Sequence, residues 1–294
     1  MSMTTASSIP QVLDPAMQEI FLDGMINRGE MTHMQWMRVR GANTRTIEKT
    51  SIAPPGAYTP HVEGAEFTFS AIEQEYSKTY TMSELAIAFQ ISAYAQEFFD
   101  PTALGEFVQE VGASYGRKLS ALGYDVLAGG FTDSGPDGVS LFSASHPANV
   151  GGNQSNTGST ALAELSLQTA LTSMRRLKTP DNLLAMSRPR YLVVPPELEY
   201  TAKELVGSEY SGADLQVNVI SQKGLEVLVA PDLSDAQDWF LLDDSQFRAY
   251  QYIAKGTNPK QWMDPDSDNW RMSDRCILSQ GYDSWRGAFG ASVA

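Results

Sequence analysis

The chain is 294 residues long, and 21 Lys and Arg against 35 Asp and Glu leave a formal net charge of −14. Hydrophobic residues at 42% and aromatics at 10% suffice for one large core or two modest ones, which argues against general disorder. So acidic a surface repels phosphate backbones and disfavours tight or sequence-specific nucleic-acid binding, although it can still enclose nucleic acid without adhering to it.

The N-terminal MSMTTASSIPQVLDPAM lacks the basic stretch and apolar run of a signal peptide. No segment approaches the ~18 apolar residues of a membrane span. A soluble protein made inside the cell is expected. LDPAMQEIFLDGMINRG, 13–29, opens with Asp14 and Pro15, a good cap and first-turn pair. Met17, Ile20, Phe21 and Met25 then recur at helical spacing, so a short amphipathic helix is predicted, closing near Gly29. QWMRVRGANTRTIEKTS reads as extended. APPGAYTPHVEGAEF, 53–67, has three prolines and two glycines and makes neither a helix nor a central strand. EYSKTYTMSE alternates through Tyr76, Lys78, Tyr80 and Met82, as a strand does. Residues 39–85 thus predict two extended arms with a Pro/Gly-rich tip. A two-stranded ribbon buries too little surface to be stable alone, so it must lie on something else.

DPTALGEFVQEVGASYGRKLSALGYDVLAGG, 100–130, predicts a long helix. Asp100 caps it, and Leu104, Phe107, Val108, Val111, Tyr115, Leu119, Leu122 and Val126 keep one face apolar. Gly129 and Gly130 end it. TDSGPDGVSLF, 132–142, predicts a turn and a short strand, and GGNQSNTGST, 151–160, a mobile polar loop. Residues 162–181 form a second amphipathic helix with Leu165, Leu167, Ala170, Leu171 and Met174 inward. RYLVVPPELEYTAKELVGS is a strand stopped at Pro195 and Pro196, then a helix. Two or three strands follow, with turns at Lys223-Gly224 and 232–238, and further strands complete an α+β chain.

DGVSLFSASHPANVGG, 137–152, gathers residue types that could be catalytic. Yet Ser143, Ser145 and His146 lack the G-x-S-x-G elbow of a hydrolase, and no carboxylate or oxyanion hole is marked. A structural turn, with His146 bonded to local backbone, is the expectation. His33, His61 and His146 are far apart and Cys276 stands alone, so no zinc spacing exists and no internal disulfide can form. DPDSDNW, 264–270, lacks the glycine and glutamate of a calcium loop. A solvated acidic turn, neutralised by Arg271 and Arg275, is expected there. Phosphate-loop motifs are absent. Arg175, Arg176 and Lys178 suit a helix end or a contact surface. No catalytic, cofactor or metal residues are assigned.

The order of elements resembles the major capsid proteins of tailed bacteriophages, more narrowly the Mu-like major head subunit group. Asp137-Gly138, Leu141-Phe142, His146 and Asn149 follow that group's pattern, as do LQTALTSMRRLKTPD, RYLVVPPELEYTAKELVGSE, LEVLVAPDLSDAQDWFLLDD and the terminal GYDSWRGAFG. The resemblance covers about 100–290 by motif and the rest by element order. It implies the Hong-Kong-97-type capsid fold: an N-terminal arm to residue 38, an extended E-loop over 39–85, and a peripheral domain over 86–160 with a spine helix at 100–130. An axial domain over 161–245 and a return to the peripheral domain over 246–294 complete it. The function implied is an icosahedral shell of pentamers and hexamers in the virion, made in the host cytoplasm. It would enclose double-stranded DNA without sequence-specific contact and touch no membrane. Expected partners are further copies, a separate scaffolding protein and a portal, with the presence of decoration proteins left open. A separate scaffold is inferred because the chain reaches extended structure by about residue 36. Some relatives crosslink a loop lysine to a neighbour's asparagine. Lys49 and Lys78 flank the excursion instead of sitting at its tip, so no crosslink is expected. Arg38, Arg40, Arg45, Lys49 and Lys78 are candidate contacts to a neighbouring subunit, with solvated charge as the alternative. Other readings are a tail or decoration subunit, a cellular shell of the encapsulin kind, or a hydrolase using Ser145 and His146.

Overall fold

The computed structural model describes residues 11–12, 15–28, 31–52, 60–64, 66–67, 69, 74–98, 101–147, 152–180, 182–208, 210–211, 216–218 and 220–293. Strand β1 (Gln11–Val12) precedes helix α1 (Pro15–Arg28), and a 3-10 turn leads to β2 (Arg38–Gly41). The ribbon strands β3 (Thr46–Ile52) and β4 (Gln74–Thr81) come next, then β5 (Ser83–Ile91), α2 (Ala93–Phe98) and the long α3 (Pro101–Ala128). Beyond it lie β6 (Thr157–Gly158), α4 (Glu164–Arg176), β7 (Tyr191–Val194), α5 (Glu199–Gly207), β8 (Tyr210–Ser211) and β9 (Gln216–Val217). The chain finishes with β10 (Glu226–Val229), β11 (Trp239–Leu242), β12 (Ala249–Lys255), β13 (Lys260–Met263), β14 (Trp270–Tyr282) and β15 (Ala288–Ala291).

β14 organises the first sheet. β5 runs antiparallel along one edge, from Ile91 opposite Trp270 to Ser83 opposite Leu278. β13 pairs the start of the other edge and β12 its end. β1 lies outside β13, and β2 lies parallel outside β12. Alternation points Met272, Cys276 and Leu278 to one face, where they meet the apolar stripe of α3: Met272 clusters with Val108 and Val111, and Cys276 and Leu278 with Leu119. α1 crosses α3 at very close range because each helix offers a glycine. A Cβ on Gly24 would sit 2.0 Å from Gln109 O, and one on Gly112 would sit 2.1 Å from Phe21 O.

The second sheet has the order β10-β7-β11-β15-β6. Every residue of β7, β11 and β15 is buried, because both faces are covered, so these strands read as apolar runs. One face, with Tyr191, Val193, Phe240 and Leu242, packs on Tyr124, Leu127, Leu141 and Phe142. The other, with Leu192, Val194, Trp239 and Leu241, packs on Leu167, Ala170 and Met174 of α4 and Ala202 of α5.

Several expectations change. Residues 132–142 make a single bridge, Ser134 to Ser140, instead of a strand. The second amphipathic helix stops at Arg176, and its Leu165 points outward, as Phe107 of α3 partly does. The sequence did not announce α2. The last strand joins the second sheet, so the closing segment serves both sheets. Asp14, Gly29, Asp100, Asn149 and the side chains of Met17 and Leu104 lie outside the described residues. No described helix is long and apolar enough to cross a membrane.

Candidate functional site

The suspicious stretch folds around a buried histidine. Asp137 and Gly138 turn the chain, with Gly138 at φ +83°, a conformation that favours glycine. His146 is fully buried. Its Nδ1 lies 2.6 Å from Asp137 Oδ2, and its Nε2 lies 3.2 Å from Leu141 O and 3.0 Å from Asn156 Oδ1. The Asn156 Nδ2 group donates to Leu141 O and Ala288 O, at 2.8 and 3.1 Å, which fixes which end of the amide faces the imidazole. Both partners of Nε2 are therefore acceptors, and Nε2 donates. A nitrogen committed in this way cannot take a proton from a serine. Ser143 Oγ accepts from the Ser145 N–H, and Ser145 Oγ accepts from Asn153. Trp285 stacks on the imidazole at 3.8 Å and 8°. The cluster ties together the turn at 137, the segment before β6 and the link between β14 and β15.

This corrects two expectations. His146 is held by side chains as much as by backbone, and Asp137 supplies the carboxylate that seemed missing. The described part of the polar segment, 152–160, is also no free loop: Asn156 is buried, its N–H donates to Ser143 O and its carbonyl accepts from Gly290. A D-G turn nine residues before a histidine was the available signal for the first. No local signal separates Asn156 from its polar neighbours.

A second cluster anchors the ribbon. Tyr80 is buried among Ala42, Tyr250 and Tyr252, with Ile47 and Met82 against them. Its hydroxyl donates to Asp283 Oδ1 at 2.5 Å. Burial, and then that carboxylate, push the Tyr80 pKa far up. Lys49 Nζ lies 3.1 Å from Asp283 Oδ2 and 3.6 Å from the centre of the Tyr250 ring. Burial works against its ammonium, but bonds to Tyr250 and Asp283 outweigh this and raise its pKa. Of the other candidate contacts, Arg38 donates to Asp244 O at 3.0 Å, the Arg40 guanidinium sits 5.4 Å from the Tyr250 ring, and Lys78 sits 5.9 Å from that of Tyr282. Arg45 is exposed, without an ion-pair partner among the described residues. Four of the five cations thus have partners within the chain, which sequence could not reveal because Asp283 and Tyr250 lie some two hundred residues away. Further out, Ile52, Val62, Phe67 and Phe69 are exposed.

The acidic turn at 264–269 is closed by Arg271, whose Nη2 is 2.8 Å from Asp264, whereas Arg275 pairs with Glu84 instead. Among the described residues no three His, Cys, Asp or Glu gather as metal ligands.

A family model described as phage capsid protein matches residues 74–290. The chain belongs to the phage capsid protein family. In this capsid protein the match runs from β4 into β15 and so contains β5, α3, the His146 cluster, β12 to β14 and nearly all of the second sheet, while β1, β2 and β3 precede it. No curated protein matches the sequence. The chain is similar in fold to the capsid of cyanophage P-SCSP1u, with a TM-score of 0.60 and 11% identity over 88% of this chain and 86% of that one. The bacteriophage JBD30 capsid gives 0.59 and 14% over 69% and 91%. Microbacterium phage Oxtober96 gives 0.60 and 12% over 89% and 90%. The mixed α+β architecture, with one long helix beside sheets, is that of these capsid structures.

Proposed function

We propose that this phage capsid protein is the major head subunit of a tailed phage of the Mu-like group, closing an icosahedral shell of pentamers and hexamers around DNA without catalysis of its own. The observation that carries the reading is the ribbon β3–β4. Its base is fastened to its own body through Tyr80, Lys49 and Asp283, while Ile52, Val62, Phe67 and Phe69 stay exposed beyond it. A chain does not hold four large apolar side chains on a projecting arm unless something covers them. In a shell the covering surface is a neighbouring subunit, and many such weak overlaps add up. On this reading 39–85 is the E-loop, 100–130 the spine helix of a peripheral domain and 161–245 most of an axial domain, with Arg45 the cation most available to a neighbour. The D-G-x-x-L-F-x-x-x-H pattern supports the Mu-like assignment.

Negative-stain electron microscopy of the purified chain tests this. Closed shells, tubes or rings are expected. A protein that stays monomeric at high concentration, with or without crowding agent, overturns it.

A further inference from the structure

Strands β7 and β10 run parallel, with Tyr191 opposite Glu226 and Val194 opposite Val229. Their starts therefore share one flank of the second sheet and their ends the opposite flank. At the first flank a cavity of about 490 Å³ opens between α4 and the segments leading into both strands. Gln168, Thr172, Arg175, Arg188, Ile220 and Lys223 line it. Among the described residues Arg175, Arg188 and Lys223 have no ion-pair partner, whereas the adjacent Arg190 is paired with Glu226 and Asp244. Three unpaired cations around one concavity are conspicuous in a chain of net charge −14. At the opposite flank the same strands run out into acid. Glu197 follows β7, and Asp232 and Asp235 follow β10; all three are exposed and lack an ion-pair partner among the described residues.

We infer that the cavity of Arg175, Arg188 and Lys223 receives the β10–β11 loop of a second copy of this chain, presenting Asp232 and Asp235. This rests on the shell reading above and names the surface that joins one copy to the next. The two complementary surfaces lie on different flanks, so the contact is heterologous. Repeated by rotation, it closes a ring instead of pairing two copies. Screening acts over about 8 Å at physiological salt. The mutual repulsion of two acidic bodies is therefore largely damped at a distance, while carboxylates seated among the cations are not. DNA fits this cavity less well, since three cations are few for a duplex and the surrounding chain repels it.

The test uses the full chain with exposed charges exchanged. Arg175→Glu with Lys223→Glu, and separately Asp232→Lys with Asp235→Lys, should each lower the assembled fraction at least tenfold by sedimentation at low salt. Combining all four should recover most of it, because the charges complement again. Thermal melting should match the wild type in every variant, and the milder Arg175→Gln with Lys223→Gln replaces any variant that melts early. Wild-type assembly by Arg175→Glu with Lys223→Glu overturns the inference. So does failure of the folded fourfold variant to recover. Retention of a DNA duplex by the wild type alone, with assembly unaffected by the cation changes, assigns the cavity to phosphate and also overturns it. If the wild type never assembles, the shell reading falls first and this contact with it.

Discussion

His146 and Asp137 form a contact in which neither partner can be removed without stranding the other. Both side chains are at most 1% exposed. Replacing His146 with Ala leaves the Asp137 carboxylate buried with its main partner gone, a change that costs about 3–5 kcal/mol. Urea unfolding should show that loss, while Ser145→Ala should stay within ~0.5 kcal/mol of the wild type. Equal, small effects at both positions would remove the case for a structural latch. His33 offers a pH-dependent counterpart. It is fully buried beside Gly123, and its Nε2 donates to Gln251 Oε1 at 3.3 Å. Burial lowers its pKa from the ordinary 6.5, against the opposing pull of Gln251 and Asp232. The unfolded chain therefore takes up a proton below pH 6.5 that the folded chain resists. Stability is present above that value and drains away as pH falls below it, by up to ~1.4 kcal/mol per pH unit. The wild type should lose more stability than His33→Leu between pH 6.5 and 5, and parallel slopes would contradict this.

At the scale of elements, the α1–α3 crossing depends on absent side chains. Gly112→Ala gains about 1 kcal/mol of helix propensity, yet its methyl would meet the Phe21 backbone. Unlike a side-chain tip, backbone cannot swing aside, so net destabilisation of ~1–3 kcal/mol and protease cleavage in α1 are expected. Gly105→Ala, where the nearest atom is Ile20 Cδ1 at 3.8 Å, should stabilise the same helix. A Gly112→Ala variant at least as stable as Gly105→Ala would refute the close crossing. The ribbon base makes a different prediction. Lys49 has a raised pKa, so its contribution is complete below the ordinary lysine value and lost as pH climbs through the raised one. The gap in melting temperature between wild type and Lys49→Met should be flat near neutrality and close in strong alkali. A gap that persists there means Lys49 acts by packing alone.

For the molecule as a whole, two links join the sheets directly, from Leu242 of β11 to Ala249 of β12 and from Tyr282 of β14 to Ala288 of β15, and Trp285 lies within the second against His146. The two sheets thereby brace one another, and Ile52, Val62, Phe67 and Phe69 beyond the ribbon's base stay exposed. Phe67→Ser with Phe69→Ser should leave the melting temperature unchanged, because both rings are exposed, while weakening assembly several-fold in sedimentation. A lowered melting temperature with unchanged assembly would place those rings in the body's own core.

The sequence by itself determined the elements whose cause is local. The 3.6-residue apolar period marked α1, α3 and α4. Proline and glycine at 53–67 marked the break between two arms, and the D-G turn with its downstream histidine carried the family pattern. Those elements set the α+β class, whereas the shell reading came from the resemblance of their order and motifs to phage capsid proteins. Only the tertiary structure decided what depends on residues distant along the chain. Asp283 reaches Tyr80 and Lys49 across some two hundred residues. Asn156, indistinguishable in a polar loop, becomes the centre of a buried network. Leu165 fits its helical period and still faces outward, and Phe107, though packed on Phe89, stays partly exposed, because period places a residue on a stripe while the width of the packed partner decides which edge of that stripe is covered. The glycines of α1 and α3, read alone, are weak helix formers; set against each other they are the reason the two helices can touch.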